Sequence, residues 1–344
     1  MSEADQTSAR ETLLTLLTGH LAPHVIHTAT QLALPDLLAS GVHTTEDLAE
    51  RTGTHAPSLA RLLRAMACVG LVTEPAPGRY ESTPMGALLR RDHADSLNAT
   101  VLLNFREEAR RSWGELLHSV RTGEPSFEHL YQTSAFAYFA GKPEVGEVFN
   151  RAMADHTRQA ARDIVAGHDF GGYGTVVDVG GNDGTLLSAV LAASPETRGV
   201  LFDSAEGTAR APETLRRAGV DKRCEIVAGD FFEAVPEGGD AYLLKSVIHD
   251  WDDERSTAVL GSCRRAMTDG AVLLIVEPVM PDRADETLTV PMVVSDINML
   301  VYTGGRERTH SEFEALLTGA GFALTGVSAP LRTTDYRVVE ARPV

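Results

Sequence analysis

Residues 176–187 read VVDVGGNDGTLL, and this stretch decides the fold. A β-branched apolar run enters a glycine-rich turn, and a Leu-rich segment with no strand alternation follows. Strand, glycine loop and helix in that order form the opening unit of an open α/β sheet, where ligands sit beyond the carboxyl ends of the strands. Gly180, Gly181 and Gly184 let the backbone turn tightly and approach a ligand closely. Asp203 closes the next apolar run, GVLFD (199–203). A carboxylate there can accept hydrogen bonds from both hydroxyls of a ribose. The pair predicts a nucleoside-containing cofactor.

The loop does not fit G-x-G-x-x-G, the dinucleotide pattern. Counted from Gly180 the third position is Asn182, and counted from Gly181 it is Asp183. Asp178 and Asp183 would repel a pyrophosphate but suit a sulfonium and an ammonium. S-adenosylmethionine (SAM) is therefore expected rather than NAD. AGDFFEAVP (228–236) agrees with this: Asp230 can accept the adenine amino group while Phe231 packs on the ring face. The plainer alternative is a tight turn without a ligand, with Phe231 and Phe232 in the core.

Outward from the loop, GVLFD, CEIVAGD, AYLLKSVI and AVLLIVEPV are short apolar runs separated by helix-like segments. That alternation predicts a parallel sheet covered on both faces. FALTGVSAP (322–330) and YRVVEARPV (336–344) are separated by a short turn, so they should pair antiparallel. Toward the N-terminus the texture is helical. TTEDLAERTG and HAPSLARLLRAMACVGLV predict two helices, and LVTEPAPGRYEST (71–83) predicts a hairpin. Helix, helix and hairpin make a winged-helix pattern. Glycines cluster in GHDFGGYG (167–174), which reads as a linker. The expected division is 1–100, a helical bridge over 101–170 contributing to a substrate pocket, and 171–344.

The chain has 344 residues and a formal net charge of −17. So acidic a protein lacks the positive face that nucleic acids and anionic membranes need. The winged-helix pattern is accordingly read as a packing or dimerisation module, not a DNA reader. The three cysteines, Cys68, Cys224 and Cys263, show no metal-ligand spacing and read as reduced core thiols. No metal is expected. The polar start MSEADQTSAR has no signal-peptide character, and no apolar run nears the ~18 residues of a membrane span. A cytoplasmic location is expected.

KSVIHDW (245–251) ends an apolar strand on an imidazole. Together with VVDVGGNDG, GDFFEAVP, YLLKSVIHDWDDE, LLIVEPV and TGGRERTHSEFEALLTGAGF, it resembles the plant-type SAM-dependent small-molecule O-methyltransferases, which bacterial natural-product pathways also use. The resemblance covers almost the whole chain. It implies a Rossmann-like class I methyltransferase domain with an antiparallel last strand. It also implies an N-terminal winged-helix dimerisation domain and a homodimer. One departure is visible: Asn182 stands where many members have a third glycine, and Asn tolerates left-handed backbone better than most residues.

By this resemblance His249 is the general base, Glu277 and Glu307 flank it, and Lys245 and Ser246 lie beside the cofactor. The chemistry fits. A phenol is a poor nucleophile until its proton leaves, and a neutral His can take it. A carboxylate on the other ring nitrogen fixes the tautomer and stabilises the imidazolium. A phenol near ~10 and an imidazole near ~6.5 leave prior proton transfer roughly 5 kcal/mol uphill. Removal coupled to methyl transfer, or an acidified phenol, is therefore expected, with S-adenosylhomocysteine as by-product. The competing reading for His249 is a structural residue at a helix start, with DWDDE as the cap.

Trp113, Phe149, Met153, Met292, Asp296, Asn298 and Met299 are the acceptor-pocket candidates. Met and aromatic side chains would give an adaptable apolar slot for a flat acceptor. Two other functions compete: a SAM-binding enzyme of this fold diverted to hydroxylation or a pericyclic step, and a non-enzymatic regulator.

Overall fold

The helix–helix–hairpin expected over 45–83 is present in the computed structural model, which describes residues 3–285 and 287–344. The first helix of the motif, Thr45–Thr52, is capped by the Thr44 hydroxyl, which accepts from the Asp47 amide at 3.1 Å. It ends on Gly53 in the left-handed conformation. The second helix, Ala56–Cys68, buries Leu59, Leu63 and Met66. Three short strands follow the winged-helix pattern: β1 (His43–Thr44), β2 (Val72–Ala76) and β3 (Arg79–Ser82), in antiparallel order β1-β3-β2. Their core is a separate cluster that includes Leu34, Leu48, Leu63, Val72 and Tyr80.

The chain splits into two compact units, Met1–Arg110 and Arg111–Val344. The glycine cluster at 167–174 is therefore not a linker. Phe170 is buried in the core of the second unit, and Thr197 donates to the Phe170 and Tyr173 carbonyls. The stretch 101–170 is shared between the units, with the long helix Pro143–Gly167 wholly in the second. Cys263 is buried, as expected of a core thiol, but Cys68 is exposed at the end of its helix and Cys224 is only partly covered.

In the second unit the strands are β4 (Thr175–Val179), β5 (Arg198–Asp203), β6 (Cys224–Ala228), β7 (Ala241–Lys245), β8 (Val272–Met280), β9 (Arg308–Thr309), β10 (Phe322–Val327) and β11 (Tyr336–Pro343). The sheet order is β10-β11-β8-β7-β4-β5-β6, with β9 paired to the end of β8. Strands β4 to β8 pair in parallel, while β11 runs antiparallel to both β8 and β10.

The near-continuous apolar runs arise because both faces are covered. Alternate residues point to opposite sides. Val177, Val179, Tyr242, Leu244, Leu273 and Ile275 pack with Val259, Leu260, Phe313 and Leu317 of the helices Asp253–Ala266 and His310–Gly319. Val176, Leu243, Leu274 and Val276 pack instead with Leu187, Val190, Leu191 and Ile164. No helix among the described residues is long and apolar enough to cross a membrane.

Candidate active site

The chain lays down β4, β5 and β6 toward one edge, then returns to place β7 on the other flank of β4. The loops after β4 and β7 therefore leave in opposite directions and open a crevice at the strands' carboxyl ends. The residues singled out in the sequence leave from those ends: Gly180–Gly184 after β4, Asp203 at the end of β5, and Ser246–Trp251 after β7.

Gly180 and Gly184 have φ of +74° and +77°, and Asn182 takes +50°. The Asn is thus left-handed, as the departure from glycine required. A Cβ at Gly181 would come within 2.7 Å of the Asp178 carboxyl. Asp203 braces the loop: its two oxygens accept from the amides of Asn182, at 2.8 Å, and Ser204, at 2.6 Å. Asp183 is used differently, bonding Thr185 at the start of the next helix. Asp230 accepts from the Phe232 amide, and Phe231 lies edge-on to Trp251 with centroids 6.1 Å apart.

Asp178 is 1% exposed, and its Oδ2 has no hydrogen-bond partner. Burial first, then the Asp203 charge, pushes its pKa up to about 7. Asn182 Oδ1 is likewise buried without a partner. Unsatisfied buried acceptors of this kind call for a donor. Acids held near neutrality favour a cationic one, so the residues present fit the ammonium and sulfonium of SAM.

This has a measurable consequence. An acid with a raised folded pKa destabilises the fold as pH climbs from its unfolded value, near ~4, toward 7, and the full cost persists above 7. Asp178→Asn should raise Tm at pH 8 and leave it nearly unchanged at pH 4, with weaker SAM binding. Thermal scans at the two pH values check this, and equal shifts at both would refute the assignment.

Lys245 Nζ donates to Thr157 Oγ1 at 3.3 Å and lies 5.0 Å from the centre of the Tyr336 ring. Ser246 has φ of +55°, and its hydroxyl pairs with that of Tyr336 at 3.0 Å.

His249 lies in the short 3-10 turn Ile248–Asp250, just before the helix that Asp252 caps. The cap therefore belongs to Asp252, and His249 is free for another task. Its Nδ1 lies 2.7 Å from Glu307 Oε1. Nε2 is left toward Asp250, whose Oδ1 is 3.9 Å away. Glu307 is itself fixed: Ser295 donates to Oε1 at 2.5 Å, and Asp296 accepts from its amide at 3.0 Å.

Glu277 acts differently from the flanking role expected of it. Its Oε1 accepts from three successive amides, those of Val247, Ile248 and His249, at 3.0, 2.7 and 3.1 Å. It holds the backbone of the turn that carries His249, while Glu307 bonds the ring. Register explains the reach: Lys245 sits opposite Val276, so Glu277 meets the chain just where it leaves β7.

Burial works against a charge on His249, but Glu307, through its charge and hydrogen bond, and then Glu277 and Asp250 outweigh it. The imidazole pKa stands well above its ordinary value. The sequence reading took the ring at its ordinary pKa of ~6.5; in the folded chain the surrounding acids raise it. Asp250 is raised to about 7, chiefly by burial. The sequence reading missed it, although it adjoins His249.

The acceptor candidates are partly assembled. Trp113 Nε1 donates to Asn298 Oδ1 at 2.9 Å, joining two segments 185 residues apart. Asp296 accepts from the Glu307 amide and so braces the residue that bonds His249. Phe149 stacks on Phe139 at 4.9 Å and meets Phe136 edge-on. Phe136 in turn lies 5.5 Å from Trp251. Met292 is buried, and Met153 and Met299 are partly buried on the helices Pro143–Gly167 and Val290–Tyr302. Among the described residues no cluster of three or more His, Cys, Asp or Glu could hold a metal.

Residues 113–323 match the O-methyltransferase domain family, and residues 14–92 match the O-methyltransferase dimerisation domain. The chain belongs to the O-methyltransferase family. This methyltransferase is 42% identical over 343 residues to the O-demethylpuromycin-O-methyltransferase of Streptomyces alboniger, covering 99% of this chain and 91% of that one. Among solved structures it is similar to LaPhzM, with a TM-score of 0.93 and 42% identity, covering 98% of this chain and 99% of that one. NcsB1, an O-methyltransferase from neocarzinostatin biosynthesis, was solved with SAM and 2-hydroxy-5-methyl naphthoic acid. It matches with a TM-score of 0.79 and 33% identity, covering 94% of this chain and 96% of that one. The enzyme is accordingly a SAM-dependent methyltransferase, and the dinucleotide and regulator readings fall away.

Proposed function

We propose that this methyltransferase alkylates a phenolic oxygen of a flat aromatic small molecule, with His249 as general base. The observation that carries the reading is the His249–Glu307 pair at 2.7 Å, which engages Nδ1 and so reserves Nε2 for the acceptor proton. SAM, when bound, supplies the electrophilic methyl group. Asp203, Asp178 and Asn182 would hold it through its hydroxyl and cationic groups, with Lys245, Ser246, Asp230 and Phe231 alongside. His249 Nε2 takes the acceptor proton, and Glu307 keeps the proton on Nδ1. The raised imidazole pKa narrows the gap to a phenol, so proton transfer costs less than the roughly 5 kcal/mol set by ordinary values. An aromatic wall through Phe136, Phe149 and Trp251, with Met153, Met292, Met299, Trp113 and Asn298, supports a planar acceptor. So do the aromatic acceptors of the relatives. A diverted, non-methylating enzyme would not need this base, and the His249–Glu307 pair argues against it.

Homodimerisation through the first unit is part of the proposal. Leu13, Leu14, Leu16, Leu17 and Leu21 are 44–72% exposed there. Exposed leucines in such number mark an interface.

The pH dependence tests the base. A base works only when unprotonated, so kcat/KM should rise with pH through a midpoint well above 6.5. Glu307→Gln removes the main charge that raises the imidazole, so its midpoint should move to lower pH, with a lower plateau from the weaker base. A pH-rate profile with the same midpoint in both enzymes would remove Glu307 from this role.

A further inference from the structure

Glu277 satisfies the amides of the catalytic turn, but the turn also has carbonyls to satisfy. Arg308 supplies two of the donors, beside the Ser256 hydroxyl and main-chain amides. Its side chain is fully buried, a rare state for a guanidinium. Nη1 donates to the Ile248 carbonyl at 3.0 Å, and Nη2 donates to the Trp251 carbonyl at 2.9 Å and to Ser256 Oγ at 3.1 Å. Nε and Nη2 both reach Asp253 Oδ1, at 3.2 and 2.9 Å. The carbonyl of His249 itself accepts from the Arg306 amide at 2.9 Å. Gly305 permits this approach, since a Cβ there would collide with the same carbonyl. Glu307 lies between these two arginines and bonds the imidazole. One extended segment, 305–308, thus fixes both the ring and the backbone that carries it.

We propose that Arg308, anchored by Asp253, is a positioning residue for methyl transfer: it holds the carbonyl side of the turn so that Nε2 of His249 faces the acceptor. This inference rests on the reading of His249 as the base. Guanidinium geometry is essential to it. The planar fork spans two carbonyls three residues apart and a carboxylate, which an ammonium cannot do. Asp253 is 59% exposed, so the buried turn is tied to a residue at the surface.

The test compares Arg308→Lys, Arg308→Ala and Asp253→Asn with His249→Gln in the full-length enzyme, using any acceptor that the wild type methylates. Misplacing a reacting group by about 1 Å can cost about 100-fold. Arg308→Lys is expected to lower kcat roughly 10- to 100-fold, with KM for the acceptor and Kd for SAM each within about threefold of wild type. Added guanidinium should restore part of the kcat of Arg308→Ala. Asp253→Asn keeps an acceptor oxygen for the guanidinium but loses its counter-charge, so it should lower kcat about threefold to tenfold and lower Tm as well. The proposal is overturned if Asp253→Asn and Arg308→Lys keep wild-type kcat. It is also overturned if kcat falls only in step with Tm and SAM affinity and guanidinium restores nothing. Normal turnover by His249→Gln would instead remove the base, a failure distinguishable from that of Arg308.

Discussion

His249→Gln is expected to lose methyl transfer by about 100- to 10,000-fold, the usual worth of a positioned general base, while keeping SAM affinity within a small factor. The separation follows from the geometry. The imidazole bonds Glu307, whereas the glycine loop is braced by Asp203, so truncating the ring leaves the cofactor side intact. The turn is held by its backbone, through Glu277 and Arg308, and does not need the ring to keep its shape. Gln can still offer an amide hydrogen to Glu307, which limits the cost of leaving that buried carboxylate unpaired. His249→Ala should lose as much activity and more stability. Single-turnover measurements at saturating SAM, with calorimetry of SAM binding, separate the two effects. Near-normal turnover in either variant would mean that another group takes the proton, and Asp250 would be the first to examine.

Asp203→Ala is expected to weaken SAM binding by about 100-fold or more. Two losses add. The ribose loses a charged acceptor, and hydrogen bonds to charged groups are worth about 1.5–3 kcal/mol each. The amides of Asn182 and Ser204 lose their acceptor as well, which frees the cofactor loop. Asp203→Asn keeps one carbonyl oxygen and should be intermediate. Since the Asp203 carboxylate bonds the amides of Asn182 and Ser204 and neither His249 nor Glu307, kcat at saturating SAM should fall less than affinity. Titration calorimetry with SAM and with S-adenosylhomocysteine reads this directly, and unchanged affinity for both would remove Asp203 from the cofactor site.

The fold was legible wherever one segment carries its own signal. The run 176–187 specified strand, loop and helix. The apolar strands specified a sheet buried on both faces. The short turn after residue 330 specified the antiparallel pair β10 and β11. Thr44 as a helix cap and the 71–83 hairpin were equally local. Contacts that depend on distant chain were not legible. Glu277 was placed near His249, but only the register of β7 against β8 shows that its carboxylate meets three amides and not the ring. Asp296 was read as a pocket residue, yet it braces the amide of Glu307 across 11 residues of chain. Ser295 and Tyr336 carried no pattern that a period or motif would reveal, and the run 303–322 contains Arg308 without showing its task. Arg308 looks like any surface arginine until β9 draws it under the turn. The imidazole pKa was misread because it is a sum over Glu307, Glu277 and Asp250, which lie on separate segments. Asp250 was the avoidable omission, since the acid beside a proposed base was in plain view. The glycines of 167–174 misled because a glycine cluster can also serve a tight 3-10 turn around a buried Phe170.

The measurement that tests the central claim most directly is mass spectrometry of the purified enzyme incubated with SAM and a panel of aromatic hydroxyl compounds. The account predicts a product heavier by one methyl-for-hydrogen exchange on a phenolic oxygen. S-adenosylhomocysteine should form in equal amount, and both should disappear in His249→Gln. A product of unchanged or oxygen-added mass, formed with SAM unconsumed, would contradict it.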